Sequence, residues 1–338
     1  MHMADALISP TVGITMLAVS GGLLGLSVKK IQREMDDRMI PLMGVMGAFV
    51  FAAQMINFTI PGTGSSGHIG GGLLLAAVLG PWGAFMAIAS VLLVQALFFA
   101  DGGLLAWGCN LFNMGFFPCF IAYPLIYRFF VKENPSRRRI FWGSLLGVVM
   151  ALQLGAFSVV LETLFSGRTE LSFGSFILLM QPIHLAIGIV EGLVTGSVLS
   201  FLLQAGPELL TAPTKGKKQP AKKILLTLAL LTAFTGGILS LYASEYPDGL
   251  EWSIQGITGS TELEDGTGVL EQQLGAMQQK TAFLPDYSFP DADEKAGVGT
   301  SVSGILGGSI TLLLIAVAGK LALYWKKQSR KAGYGMEK

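Results

Sequence analysis

Only three histidines occur in 338 residues, His2, His68 and His184, and each stands where an imidazole could bind a metal. The first belongs to Met1-His2-Met3-Ala4-Asp5, which leads into an apolar stretch without a basic n-region or a small-residue cleavage site. Methionine is normally trimmed only before small residues, so Met1 is expected to stay, with its α-amine free. That amine and the His2 amide nitrogen close a five-membered chelate ring on a metal; the amide nitrogen and His2 Nδ1 close a six-membered one. Three nitrogens in one plane suit Ni(II) or Cu(II), which favour square-planar nitrogen sites. Histidine also falls at position 2 by accident, so the dipeptide alone decides nothing.

His68 lies in the stretch NFTIPGTGSSGHIGGG, from Asn57 to Gly72. Its glycines and serines allow irregular backbone to enter a membrane where protein surrounds it. A loop re-entering here would bring a fourth nitrogen toward the first three. His184 sits inside an apolar segment, where a polar side chain usually has a partner or a role. Glu191 follows seven positions later, two helical turns on, and so shares its face. The pair reads as support that orients a ligand, as glue between helices, or as direct ligation by His184; the residues leave these open. Glu162, Asp101 and Asn110 are further polar groups at or near membrane depth; Asn110 and Asn113 read as groups that cap or hydrogen-bond the re-entrant loop, and nothing in their spacing makes them ligands. Cys109 and Cys119 have neither zinc-site nor disulfide-framework spacing.

The elements that must position these groups are membrane helices. The chain is 51% hydrophobic and 13% charged, with mean hydropathy +0.59, a membrane composition. A spanning helix needs about 20 apolar residues. Candidates are Thr11–Val28, Met39–Phe58, Ala84–Ala100, Leu111–Phe130, Ile140–Phe165, Phe176–Leu203, Ile224–Tyr242 and Gly304–Tyr324, with a short ninth, Ile69–Leu79, ending at the turn Gly80-Pro81-Trp82-Gly83. Nine crossings with the N-terminus outside place 20 of the 23 Lys and Arg in inner segments, leaving Arg168, Lys280 and Lys295 outside. Cytoplasmic loops carry such an excess. The expected architecture is an all-α integral membrane protein of nine helices, its N-terminus outside and buried toward the core.

Residues 205–223, rich in proline, glycine and lysine, read as a cytoplasmic linker between a seven-helix unit (1–204) and a two-helix unit (224–338). The second unit carries the outer loop 243–303, with eleven acidic residues against two lysines. Its composition reads as a solvated, partly disordered loop, or as one that gathers cations or docks on the first unit. Gly21–Gly25 and Gly304–Gly308 are G-x-x-x-G pairs that suggest close helix packing. There is no G-x-x-x-x-G-K-[ST] phosphate loop, H-E-x-x-H or G-x-S-x-G, so the chain reads as no ATPase or hydrolase. An ion-coupled permease using Glu162, His184 and Glu191 as a proton relay is the reading from a second class. A water-activating metalloenzyme is a third, for which a closed plane of four nitrogens leaves little room.

The opening MHMADALISP, the loop GTGSSGHIGGG, WGCNLFNMGF at 107–116 and HLAIGIVEGLVTG at 184–196 resemble the substrate-capture component of energy-coupling-factor nickel/cobalt importers, the NikM/CbiM family. LYASEYPDGLEWSI at 241–254 resembles the small two-helix N component of the nickel branch, marked by its PDGLE run. The resemblance implies a fusion of the two, and a square-planar site of Met1 amine, His2 amide and imidazole, and His68. Asn57, His184 and Glu191 stand as possible outer support. It further implies Ni(2+) as cargo with Co(2+) as the alternative, a transmembrane coupling partner, two cytosolic ATPase subunits, and a bacterial or archaeal cell membrane with its lipid as setting. Nothing points to nucleic acid or an organic cofactor.

Overall fold

The computed structural model describes residues 1–34, 39–132, 135–168, 170–211, 222–263, 268–289 and 297–335. Residues 212–221, most of the expected linker, and residues 264–267 and 290–296 of the acidic loop lie outside the described residues.

Two helices apolar on nearly every side form the centre, as continuous hydrophobicity requires. They are α2 (Ile40–Gln54) and α3 (Gly72–Phe99), whose residues are mostly buried. Around them stand α1 (Pro10–Glu34), α4 (Trp107–Val131), α5 (Arg137–Phe165) and α6 (Phe173–Ala205). Next in the chain come α7 (Lys222–Gly237), α8 (Gly249–Thr258), α9 (Val269–Thr281) and α10 (Val298–Gly335). Outward faces are apolar too: Ile14, Val19 and Leu26 of α1, Leu178 and Leu185 of α6, and Leu226 and Leu230 of α7 are exposed. So broad an apolar rim belongs in lipid. Among the described residues seven helices are long and apolar enough to cross a membrane. The protein is an all-helical, multi-pass membrane protein.

Each of the nine expected segments contains helix, but the count of crossing-length helices among the described residues differs for two reasons. α2 spans only 15 residues, and the short third segment runs on into the fourth as α3. Within α3, Gly80 leaves helical geometry at φ 77°, ψ 165°, and Pro81 opens the following stretch. A positive φ is open to glycine without a Cβ clash. The Trp82 ring beyond this break lies 6.0 Å from Lys30 Nζ, near the end of α1. Both flanks of α3, at Gly71 and Gly102, lie instead beside the N-terminal residues and the loop that faces them. Gly80-Pro81 therefore divides α3 into a short first piece and a longer second one.

Small residues let helices close up where the chain uses them. A Cβ on Gly304 of α10 would lie 2.5 Å from the Gly236 carbonyl oxygen of α7. A Cβ on Gly21 or Gly25 of α1 would meet nothing within 4 Å, so that pair packs no partner among the described residues.

The loop after α2 forms a small antiparallel hairpin, β1 (Phe58–Ile60) and β2 (Ser65–Gly67), with Phe58 opposite Gly67. Its turn uses Gly62 at φ 78° and Gly64 at φ 73°. The described part of 243–303 folds over this hairpin, in keeping with docking rather than disorder. Ser66 N donates to Pro247 O at 2.7 Å, Ser244 N to Asn57 O at 2.8 Å, and Trp252 Nε1 to Thr63 O at 2.9 Å. Gln278 Nε2 of α9 reaches Ala96 O at 2.9 Å and Gly102 O at 2.8 Å. These bonds satisfy the irregular backbone that a buried loop would otherwise leave unpaired.

Candidate metal centre

The N-terminal residues are held inside the protein, with Met1, Met3, Leu7 and Ile8 buried. Asn110 clamps Met3 twice: its Oδ1 accepts from Met3 N at 2.7 Å and its Nδ2 donates to Met3 O at 3.1 Å. Gly103 N donates to the same carbonyl at 2.9 Å, and Asp5 Oδ1 accepts from Ala106 N at 2.8 Å. A Cβ at Gly103 would stand 1.7 Å from that Asp5 oxygen, so glycine is required there.

The opposing loop is fixed by α6. Glu191 accepts from the amides of Gly70 and Gly71, both at 2.9 Å, directly after His68. His68 Nδ1 donates to Ile69 O at 3.4 Å, which leaves Nε2 as the bare nitrogen. That nitrogen lies 3.4 Å from the Met1 amine, and the His2 and His68 rings stack with centroids 5.0 Å apart. Two nitrogens bonded to one dication at about 2.05 Å are about 2.9 Å apart when adjacent and about 4.1 Å apart when opposite. The observed separation falls between these limits.

A chain of amides sets the His2 tautomer. Gln54 Nε2 donates to Gly70 O at 2.9 Å, so Gln54 Oε1 faces away and accepts from Gln95 Nε2 at 2.7 Å. Gln95 Oε1 is then left for His2 Nε2, 3.1 Å away. A carbonyl accepts only, so the proton sits on Nε2 and Nδ1 carries the lone pair. His2 Nδ1 faces Asp101 Oδ1 at 3.3 Å, and the Tyr287 hydroxyl donates to the other Asp101 oxygen. A lone pair against a carboxylate is repulsive unless a proton or a cation lies between them.

Burial, and then the Met1 ammonium, lower the His2 and His68 pKa values to about 3. Both imidazoles are therefore neutral at neutral pH, the form in which a metal binds them. Burial raises Asp101, against the Tyr287 hydrogen bond.

Asp248 brings in the opposite end of the chain. It caps α8, its Oδ1 accepting from Leu250 N at 2.7 Å and Glu251 N at 2.9 Å, while Glu251 Oε2 accepts from Asp248 N at 2.9 Å. This capping box turns Oδ2 toward the Met1 ammonium, 3.0 Å away, and 4.0 Å from His68 Nε2. Burial alone would raise the Asp248 pKa; the ammonium and then His68 hold it below the ordinary carboxylate range. Among the described residues no group of three or more His, Cys, Asp or Glu is arranged to hold a metal ion.

Residues 2–209 match the model of the cobalt uptake substrate-specific transmembrane region, CbiM. The chain belongs to the CbiM family. Residues 222–323 match the PDGLE domain, so a CbiM-type unit is fused here to a PDGLE unit. The fused nickel transport protein NikMN of Rhodobacter capsulatus is 28% identical over 359 residues, covering 98% of this chain and all of that protein. A protein of Archaeoglobus fulgidus also named NikMN is 31% identical over 319 residues, 93% of this chain and 96% of its own. The crystal structure of a truncated transition metal transporter superposes with TM-score 0.54 at 31% identity, over 60% of this chain and 99% of that one.

Within this CbiM-type unit, Met1, His2 and His68 come together and Glu191 holds the loop that carries His68. His184 lines a cavity beside Met1 and His68. Asn57 meets Ser244 through its carbonyl and so ties the hairpin to the PDGLE unit. Sequence reasoning missed Gln54, Gln95 and Asp248. The two glutamines are polar residues in apolar segments, and Asp248 with Glu251 has capping-box spacing, so each left a signal.

Proposed function

We propose that this protein is the substrate-binding membrane component of an ATP-driven importer of the energy-coupling-factor kind, with Ni(2+) as cargo. The capture site is a plane of four nitrogens: the Met1 amine, the His2 amide, His2 Nδ1 and His68 Nε2. The observation that carries this reading is the 3.4 Å approach of the buried Met1 amine to His68 Nε2, beside the stacked His2 ring. The amine and amide must give up protons to bind. A dication with one amide anion carries a single positive charge, as the ammonium does, so Asp248 faces the same charge before and after capture. The charge segregation along the chain supports an outward-facing N-terminus, where an importer first meets its cargo.

On this reading residues 1–204 form the capture unit, 205–223 a cytoplasmic linker and 224–338 the N unit. A transmembrane coupling protein and two cytosolic ATPases supply the energy, since the chain has no phosphate loop of its own. The names of the fused relatives and the PDGLE run favour nickel; cobalt, named in the family description, is the alternative cargo.

The test is spectroscopic titration of the full chain with Ni(2+) and Co(2+). A four-nitrogen plane makes Ni(II) diamagnetic, and His68→Ala should weaken binding at least about 100-fold, more than loss of an outer partner does. A paramagnetic centre, or unchanged affinity in the variant, would overturn the site.

A further inference from the structure

Beside the capture nitrogens lies a cavity of about 30 Å³, whose lining includes Met1, His68, Asn113, His184, Glu191 and Asp248. Two of these residues hold an acceptor atom with no partner. His184 on α6 is buried, and its Nδ1 donates to Met180 O at 2.8 Å. The proton therefore sits on Nδ1, and the bare Nε2 has no hydrogen-bond partner among the described residues. His184 and Gly249 both line the cavity, and a Cβ on Gly249 would lie 3.2 Å from His184 Cε1, the ring carbon next to Nε2. Asn113 on α4 is buried as well. Its Nδ2 donates to Glu162 Oε2 at 2.7 Å and leaves Oδ1 unpartnered.

Leaving a buried acceptor without a partner is costly, and two such atoms on residues lining one cavity call for something positive or proton-donating in it. The donors at the rim are already committed: the Met1 ammonium to Asp248, and the Gly70 and Gly71 amides to Glu191. An imidazole nitrogen and an amide oxygen match the borderline divalent ions that also suit a plane of nitrogens. The space is enough for a dication with about one water, each water needing at least about 10–15 Å³.

We propose that His184 Nε2 and Asn113 Oδ1 form a second, inner station for the transported dication, next to the capture plane. The station rests on the capture reading and extends it to release. A dication held by four nitrogens leaves slowly if all must detach at once. A waiting imidazole lets it exchange one nitrogen at a time, moving toward α6 as the plane opens.

The test uses the full chain carrying His68→Ala, which removes one nitrogen of the plane, and Co(2+) as the probe. Expected is residual Co(2+) binding that falls at least tenfold further on adding His184→Leu, and persists on adding His184→Gln, which keeps an acceptor. In ¹⁵N-histidine spectra of the His68→Ala chain, Co(2+) should broaden the His184 Nε2 signal, a reading that needs no change at position 184. No residual binding, residual binding indifferent to His184→Leu, or an unperturbed His184 signal would overturn the station and leave the cavity to a structural water. Full affinity in the His68→Ala chain would instead overturn the capture plane, so the two failures are distinct.

Discussion

Lengthening the chain ahead of Met1 moves the terminal amine, one of the two main-chain nitrogens of the proposed plane. The amine lies 3.4 Å from His68 Nε2, and an extended residue carries it about 3.3–3.6 Å, so a three-residue leader displaces it by about 10 Å. Such a leader has nowhere to fold back, because the cavity beside Met1 measures about 30 Å³, room for about two waters. Removing an outer partner of a metal ligand lowers affinity about 10- to 100-fold. Losing a ligand should exceed that, giving at least about 100-fold, or about 2.8 kcal/mol. A single added residue is a different case. It places the imidazole third in the chain, where the amine, two amides and the imidazole close a four-nitrogen plane unaided. That variant should hold nickel but no longer depend on His68. The assay is competition with a chelator of known affinity, read from the Ni(II) absorption band. It compares chains with no, one and three added residues, each with and without His68→Ala. A three-residue leader that binds as tightly as the parent, still through His68, refutes the proposed plane.

Gln95→Leu breaks the amide chain that places the proton on His2 Nε2, and nickel affinity should fall about 10- to 100-fold. Gln95→Glu, which still accepts from Nε2, should restore most of it, and equal losses in both variants would count against tautomer control. Asp248→Asn leaves a carbonyl to cap α8 but strands the Met1 ammonium, which should lower thermal stability by about 3–5 kcal/mol. The same variant should leave nickel affinity within about tenfold, because the ammonium and the metal–amide unit carry equal charge; calorimetry and chelator competition check both. The pKa values of His2 and His68 are lowered to about 3, below the ordinary 6.5, so both rings stay neutral as pH falls from 8 to 5. Their ¹⁵N shifts in the metal-free chain should be constant over that range, and a midpoint near 6.5 would show them solvated instead.

Much of the scaffold was legible because its causes are local. Gly80-Pro81 marks the turnaround in α3, since glycine takes the positive φ and proline opens the next stretch. Met1, His2 and His68 stood out because so few nitrogen ligands occur in an apolar chain. The partners that tune them were hidden by distance. Gln54, Gln95 and His2 belong to three separate segments, and no periodicity joins them. Asp248 is 247 positions from the amine it faces, and composition alone suggested that its loop was mainly solvated. Asp248 and Glu251 have capping-box spacing, a signal the sequence reading passed over, and where the second carboxylate oxygen points depends on how the loop packs. Gly21–Gly25 shows the converse: a packing motif in sequence with no partner among the described residues.

That the carboxylate opposite the leading amine lies on the far side of residues 212–221 has a consequence for how the centre is assembled. Were the two halves separate polypeptides, closure over the N-terminus would depend on how much of each the membrane holds. Joined in one chain, the second half meets the first at a local concentration set by the connector, on the order of millimolar for short flexible links. Dilution in the bilayer, or uneven synthesis, would then leave the assembled centre intact.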